Sequence, residues 1–198
     1  MAARTAAMGF SAHSGWAAMV VLANSPAPNV LVRARIELID PHDPDSKQPY
    51  HTVELLNLES AAARLTEYAA VACALADSAI RTQCAALSEQ GFKLTSVGII
   101  DSIGRKPNSL SAILASHAAI HGAEGDHFRS ALSAGAERNG LSVNRTPART
   151  LDNHAVQRLR LPLARVLDTV NGLGRQVGPP WGADQKKAAL LAWTLLVP

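Results

Sequence analysis

Hydrophobic and polar positions follow a strand-like pattern in the first part of the chain. Residues 16–22 read Trp-Ala-Ala-Met-Val-Val-Leu, an apolar run with β-branched residues that is typical of a buried strand. Residues 30–38 place an apolar side chain at every second position and arginine or glutamate between them, the period of a strand with one wet face. The proline- and asparagine-rich segment 24–29 separates the two runs. We therefore predict an antiparallel hairpin.

Beyond residue 50 the period of the apolar positions changes from two to that of a helix, and then alternates between the two. The predicted strands are 50–56, 94–100 and 141–145, and the predicted helices are 58–90, 109–138, 151–159, 162–171 and 184–196. Strands joined through helices are parallel by crossover. The fold class predicted is therefore α/β: a mixed sheet, with antiparallel first strands and parallel later strands, and helices on both faces.

Length and composition predict the number of domains and the cellular compartment. The chain has 198 residues, enough for one core, and we predict a flexible leader at residues 1–8 and a single domain at 9–198. It has no signal-peptide pattern and no apolar run long enough to span a bilayer, so no membrane is expected. The two cysteines lie in one predicted helix, too far apart to pair. We therefore expect a cytoplasmic protein.

Positive charge is concentrated at the C-terminal end. Residues 129–198 hold ten Lys or Arg against four Asp or Glu, in a chain whose net charge is +3. Such a region is suited to a polyanion, although scattered solubilising arginines would give the same count. The candidate nucleic-acid-binding residues are Arg105, Lys106, Arg158, Arg160 and Arg175.

Two carboxylates lie at positions where this chain resembles a known protein family. Asp101 ends the strand LTSVGIID, and Asp184 begins the helix in GADQKKAALLAW. With the element order, these residues resemble the ribonuclease H-like superfamily, and within it the RuvC-type Holliday-junction resolvases. That family has carboxylates in the middle of the first strand, at the end of the fourth strand and at the start of the last helix. The first strand here, 9–16, has no acid and offers Ser11, His13 and Ser14 instead.

The resemblance implies a divalent-metal-dependent nuclease that binds Mg²⁺ or Mn²⁺, acts on nucleic acid and forms a homodimer. Asp101 and Asp184 would be the metal ligands. From the residues alone, Asp101 could equally be a turn residue, and Asp184 a helix cap. We expect His13 to reach the Asp101 pocket. Lys187 would balance the charge of Asp184, whose helical face should pack on the sheet.

A histidine-rich stretch, SHAAIHGAEGDH, lies on the predicted helix beside this site. His117, His121 and Glu124 step by four and three residues and therefore share one helical stripe. Histidines at this spacing with a carboxylate predict a Zn²⁺ site as one alternative. The others are surface or core filling, and a Glu124 that holds a histidine by hydrogen bonding. We expect the stripe to form one wall of a cleft that also contains His13, Asp101 and Asp184.

Three functional hypotheses follow. The first is a metal-dependent nuclease or phosphoryl-transfer enzyme, with a histidine as general base; its candidate catalytic residues are Asp101, Asp184, Glu124, His117, His13 and Lys187, and its candidate metal ligands are Asp101, Asp184, His117, His121 and Glu124. The second is a catalytically inactive ribonuclease H-like scaffold that binds nucleic acid or a protein partner. The third is a mononuclear histidine and glutamate site on the long helix.

Overall fold

The protein is described by a computed structural model that covers residues 3–24, 27–102 and 109–197. Its strands are β1 Arg4–His13, β2 Trp16–Asn24, β3 Pro28–Glu37, β4 Phe92–Asp101 and β5 Ser142–Pro147. Its helices are α1 Pro49–Thr52, α2 Leu58–Glu89, α3 Leu110–Leu114, α4 His117–Arg138, α5 Leu151–Leu159, α6 Leu163–Val177 and α7 Ala183–Thr194. Over the described ranges, no helix is long and apolar enough to cross a membrane.

The five strands form one mixed sheet in the order β3-β2-β1-β4-β5. β1 pairs with β2, and β2 with β3, in antiparallel fashion. β4 runs parallel to both β1 and β5. The predicted α/β class is therefore confirmed, including the hairpin of β2 and β3 and the parallel later strands.

The helices cover both faces of the sheet. Because successive side chains of a strand point to opposite faces, Phe10 and Ile99 join a core with α2 and α4. Val20 and Ile100 join a second core with α5, α6 and α7. Which core a strand residue joins therefore identifies the face on which it lies.

Helix α7 lies directly against the middle of the sheet. A Cβ atom added to Gly9 on β1 would overlap the backbone carbonyl of Ala188 on α7. A Cβ atom added to Gly98, the β4 partner of Gly9, would lie 2.5 Å from Leu191 Cγ. The two paired glycines thus allow α7, the helix that carries Asp184, to pack closely against the sheet.

Three sequence predictions differ from the structure. Residues 4–8 are not a leader, because β1 begins at Arg4 as the central strand and Met8 is fully buried. Residues 50–56 form no strand: Pro49 occupies the first turn of the short helix α1, a position that suits its missing N–H, and turns follow. The predicted helix 109–138 is divided into α3 and α4, since the Ser116 side chain accepts from the backbone N–H of Ala119 and begins a new helix.

Candidate functional site

The first candidate site lies where α7 begins against β1. Ser11 Oγ donates a hydrogen bond of 3.0 Å to Asp184 Oδ1, and His13 Nε2 lies 3.0 Å from the same oxygen. Ser11 and His13 are two residues apart on a strand and therefore share the face on which α7 packs. The buried Ala188, one turn after Asp184, faces the same way. A hydroxyl, an imidazole and a carboxylate thus meet at the end of β1.

His13 also belongs to a stack of side chains on the same face. Its ring stacks on Trp16, with centroids 4.4 Å apart and planes inclined by 11°. The Arg35 guanidinium lies over the same Trp16 ring, 4.1 Å from the ring centroid. The imidazole is held by the indole and by the carboxylate of Asp184, while 41% of its side chain stays exposed. It is therefore positioned and accessible to a ligand.

The second candidate site surrounds Asp101 at the end of β4. Arg145 contacts both carboxylate oxygens, with Nε to Oδ2 and Nη2 to Oδ1 distances of 3.1 Å. Arg129 Nε lies 3.0 Å from Oδ1 as a charge contact, and the Ser102 backbone N–H donates to Oδ1 at 2.8 Å. Burial by itself would raise the pKa of Asp101, but the hydrogen bond and charge of Arg145, helped by Ser102 and Arg129, lower that pKa overall.

The Asp101 cluster extends to a second acid. Arg145 Nη2 donates to Asp126 Oδ1 at 2.6 Å, and Arg129 Nη2 donates to Ser102 Oγ at 2.7 Å. The Arg129 side chain is only 9% exposed. Two carboxylates and two guanidinium groups therefore neutralise one another in a partly buried network, which is the arrangement expected of a structural ion cluster.

Asp101 and Asp184 lie on opposite faces of the sheet. Asp101 has the parity of Ile99 and contacts Arg129 of α4, whereas Asp184 contacts Ser11 on the α7 face. Both Asp101 oxygens already accept from arginine. A pair of Mg²⁺ or Mn²⁺ ions shared by Asp101 and Asp184 would need both carboxylates on the same face of the sheet. The observed arrangement does not fit such a pair.

The third candidate site lies between α1 and α4. Glu124 Oε1 accepts from the backbone N–H groups of Tyr50 and His51, at 2.9 and 3.1 Å, and lies 3.1 Å from His51 Nδ1. The Glu124 side chain is 5% exposed. His117 Nε2 and His121 Nε2 lie 3.0 Å apart on the exposed first turns of α4. One ligand atom from each of the three histidines falls within 4.8 Å of the others.

A basic cleft lies between α6 and α7. It has a volume of about 580 Å³ and is lined by Asn171, Gly174, Arg175, Gly178, Pro179, Trp181 and Lys186. Trp181 Nε1 donates to the Val170 carbonyl at 2.9 Å, which fixes the indole as one wall. The turn beneath it is held by Arg33 Nη1, which donates to the carbonyls of Gly178 and Pro180 at 2.7 and 2.9 Å.

No protein-family model and no curated protein matches this sequence. Solved structures do match: RuvC of T. thermophilus in complex with a Holliday junction substrate has 12% identity and a TM-score of 0.54, covering 96% of this chain and 91% of that one. The structure titled Thermus thermophilus RuvC has 13% identity and a TM-score of 0.52, covering 96% and 92%. The chain has a RuvC-like fold. The ribonuclease H-like architecture is thereby confirmed over nearly its whole length.

Within that fold, the sequence-predicted residues fall into separate places. His13 contacts Asp184 rather than Asp101. Glu124 is bound by residues of α1. Within the described ranges, no hydrogen bond or ion pair joins it to Asp101 or Asp184. Lys187 is exposed and, among the residues that the structure describes, makes no ion pair with Asp184. The expected single cleft is therefore divided into three sites, two of them on the α4 side of the sheet.

The predicted nucleic-acid-binding residues also separate. Arg175 lines the basic cleft. Arg158 donates to the Val197 carbonyl at 2.9 Å, and Arg160 is exposed at the end of α5 with a left-handed φ of 53°. Arg105 and Lys106 lie outside the described residues. Sequence reasoning missed Lys186 and Trp181 as neighbours of Arg175, since only the turn between α6 and α7 brings them together.

Proposed function

We propose that this chain is a nucleic-acid-binding protein built on a RuvC-like fold, with the cleft between α6 and α7 as its phosphate-contacting surface. The observation that carries the proposal is the composition of that cleft. Arg175 and Lys186 supply two positive charges, and its lining as described contains no acid. Trp181 supplies an indole beside them. Cations with an adjacent aromatic ring are the usual combination for contacting phosphates and bases of an unpaired or distorted strand.

The contacts that Asp101 and Asp184 make with other protein groups support nucleic-acid binding as the main role. The Asp101 carboxylate contacts two arginines, and the Asp184 carboxylate contacts Ser11 and His13. Both carboxylates therefore already have protein partners. The fold neighbour solved with a Holliday junction makes a four-way DNA junction the natural first probe. The predicted homodimer belongs to this proposal too, and sedimentation of the chain with and without the junction tests it.

Replacing both cations of the cleft is expected to weaken binding to a fluorescent four-way junction by roughly tenfold at about 0.1 M salt. Each lost phosphate contact should also lower the slope of log K against log salt by about one, so the slope should fall by about two. The measurement is fluorescence anisotropy of wild type and Arg175→Ala/Lys186→Ala across a salt series. Arg138→Ala, which removes an exposed cation of α4, is the matched control. An unchanged slope in the double variant would refute the cleft as the interface.

A second candidate function is phosphodiester cleavage at the His13–Asp184 pair. The specific observation is the 3.0 Å contact of His13 Nε2 with Asp184 Oδ1 beside an accessible imidazole face. A carboxylate that accepts a hydrogen bond from one imidazole nitrogen orients the ring and leaves the other nitrogen free to accept a proton from an attacking water. Asp184 then acts by positioning His13.

If this candidate is correct, His13→Ala is expected to reduce cleavage of a labelled junction by at least about 100-fold, within the range assigned to general-base catalysis. Asp184→Asn should reduce it less, because it removes the charge but keeps a hydrogen-bonding partner. The assay is gel electrophoresis of the junction in EDTA, Mg²⁺ and Mn²⁺ separately. His154→Ala, on α5, is the control. Wild-type protein that binds the junction but leaves it intact in all three buffers would eliminate the candidate and leave the binding proposal standing.

A further inference from the structure

We propose that His51, His117 and His121 form a Zn²⁺ site that joins α1 to α4 and leaves the fourth coordination position open. One ring nitrogen from each histidine lies within 4.8 Å of the other two. Tetrahedral Zn²⁺ with ligand distances of 2.0–2.1 Å holds its nitrogens about 3.4 Å apart. The 3.0 Å separation of His117 Nε2 and His121 Nε2 is already close to this value. Small rotations of the exposed rings would complete the geometry.

The backbone arrangement explains why these three rings meet. His117 and His121 are four residues apart on α4 and therefore lie on the same side of the helix. Their ring centroids lie 4.4 Å apart, and the His51 centroid lies 5.5 Å from one and 5.0 Å from the other. His51 comes from α1, which is only four residues long. The cluster therefore depends on the contact of two separate helices.

Glu124 orients the His51 ring in the way that metal sites commonly require. When His51 donates its Nδ1–H to Glu124 Oε1 at 3.1 Å, its Nε2 keeps a lone pair for an ion. Glu124 is itself fixed by the backbone N–H groups of Tyr50 and His51 and is almost fully buried. The carboxylate predicted from sequence as a ligand thus becomes a positioning residue, and His51 takes its place as the ligand.

The donor set and its exposure select the type of ion. Three neutral imidazoles favour Zn²⁺ over Mg²⁺, which prefers oxygen ligands. His117 and His121 are both exposed, so a water molecule can occupy the fourth position. Three protein ligands with an open position characterise zinc sites that bind a further molecule rather than closed structural sites. The carboxylate of Glu124 supplies a negative charge in contact with His51.

The test uses the untagged chain of 198 residues, because a histidine tag would bind zinc itself. Isothermal titration with ZnCl₂ after EDTA treatment and dialysis should give one site per chain. Saturating Zn²⁺ should raise Tm by several degrees, since an ion that binds only the folded state stabilises it. A large excess of Mg²⁺ should not displace it. His121→Ala and His51→Ala should each lose at least about 100-fold in affinity, and Glu124→Gln about 10–100-fold, the usual effect of losing an orienting partner.

Three controls separate this site from other zinc ligands and from unfolding. His42→Ala removes an exposed histidine of the loop before α1 and should leave both affinity and Tm unchanged. Cys84→Ala should also leave the affinity unchanged; loss of binding in that variant would assign the zinc to the cysteines and overturn the proposal. His121 is exposed, so in EDTA its alanine variant should keep the wild-type Tm and circular dichroism. Wild-type protein without stoichiometric binding, or variants that bind zinc as tightly as wild type, would equally overturn it.

Discussion

Gly9→Ala is expected to destabilise the protein by about 3 kcal/mol or more, the upper end of the cost of overpacking a core. The added methyl group would occupy the position of the Ala188 backbone carbonyl. A backbone atom cannot rotate away, so α7 as a whole must move off the sheet. Because Asp184 begins that helix, its contacts with Ser11 and His13 should be lost as well.

Gly98→Ala provides the matched comparison for this prediction. Its Cβ atom would also point at α7, but it would meet the Leu191 side chain, at 2.5 Å from Cγ. A leucine can change rotamer, so the cost should be only about 1–2 kcal/mol. Urea unfolding of the two variants and wild type measures the difference. If Gly98→Ala proved as costly as Gly9→Ala, the backbone contact with Ala188 would not be the cause.

Local periodicity predicted the parts of the sheet whose residues alternate or favour strands. β3 alternates apolar and charged residues over positions 30–38 of the sequence, and β4 is rich in residues that favour strands. β1 begins with Arg-Thr-Ala-Ala-Met, which has neither signal, although it is the central strand. Ala6 and Met8 pack in the core with α2 and α4, and Gly9 meets α7, and these are tertiary contacts that no local pattern reports. For this reason the sequence pattern predicts a leader where the central strand begins.

For the candidate sites, the sequence supplies candidate residues but not their grouping in space. Asp101, Asp184, His13 and Glu124 all lie at positions with partners, as expected of polar side chains in such places. Their grouping depended on strand parity and on partners distant in sequence: Arg145 lies 44 residues from Asp101. His51 gave no signal because it stands alone in a segment assigned to a strand. Sequence spacing finds residues on one helix but not the second element that faces them.

Asp101→Asn is expected to destabilise the protein by about 2–3 kcal/mol at pH 7. It would leave the buried Arg129 guanidinium beside Arg145 without the carboxylate that both contact. Removing one partner of a fully buried pair costs about 3–5 kcal/mol, and the 22% exposure of Asp101 reduces that figure. Urea unfolding gives the value. Glu67→Gln, which breaks the exposed pair with Arg64, is the control and should cost less than about 1 kcal/mol.

The pH dependence of the Asp101 effect distinguishes a charge contribution from lost packing. Because the pKa of Asp101 is lower in the folded than in the unfolded protein, its ionised form stabilises the fold. This contribution is complete above the unfolded pKa of about 3.9 and is lost as the pH falls through the lower, folded pKa. The stability difference between wild type and Asp101→Asn should therefore be constant from about pH 6 to 8 and shrink below about pH 4. A difference that stayed the same at pH 3 would mean that Asp101 acts through its shape and hydrogen bonds rather than its charge.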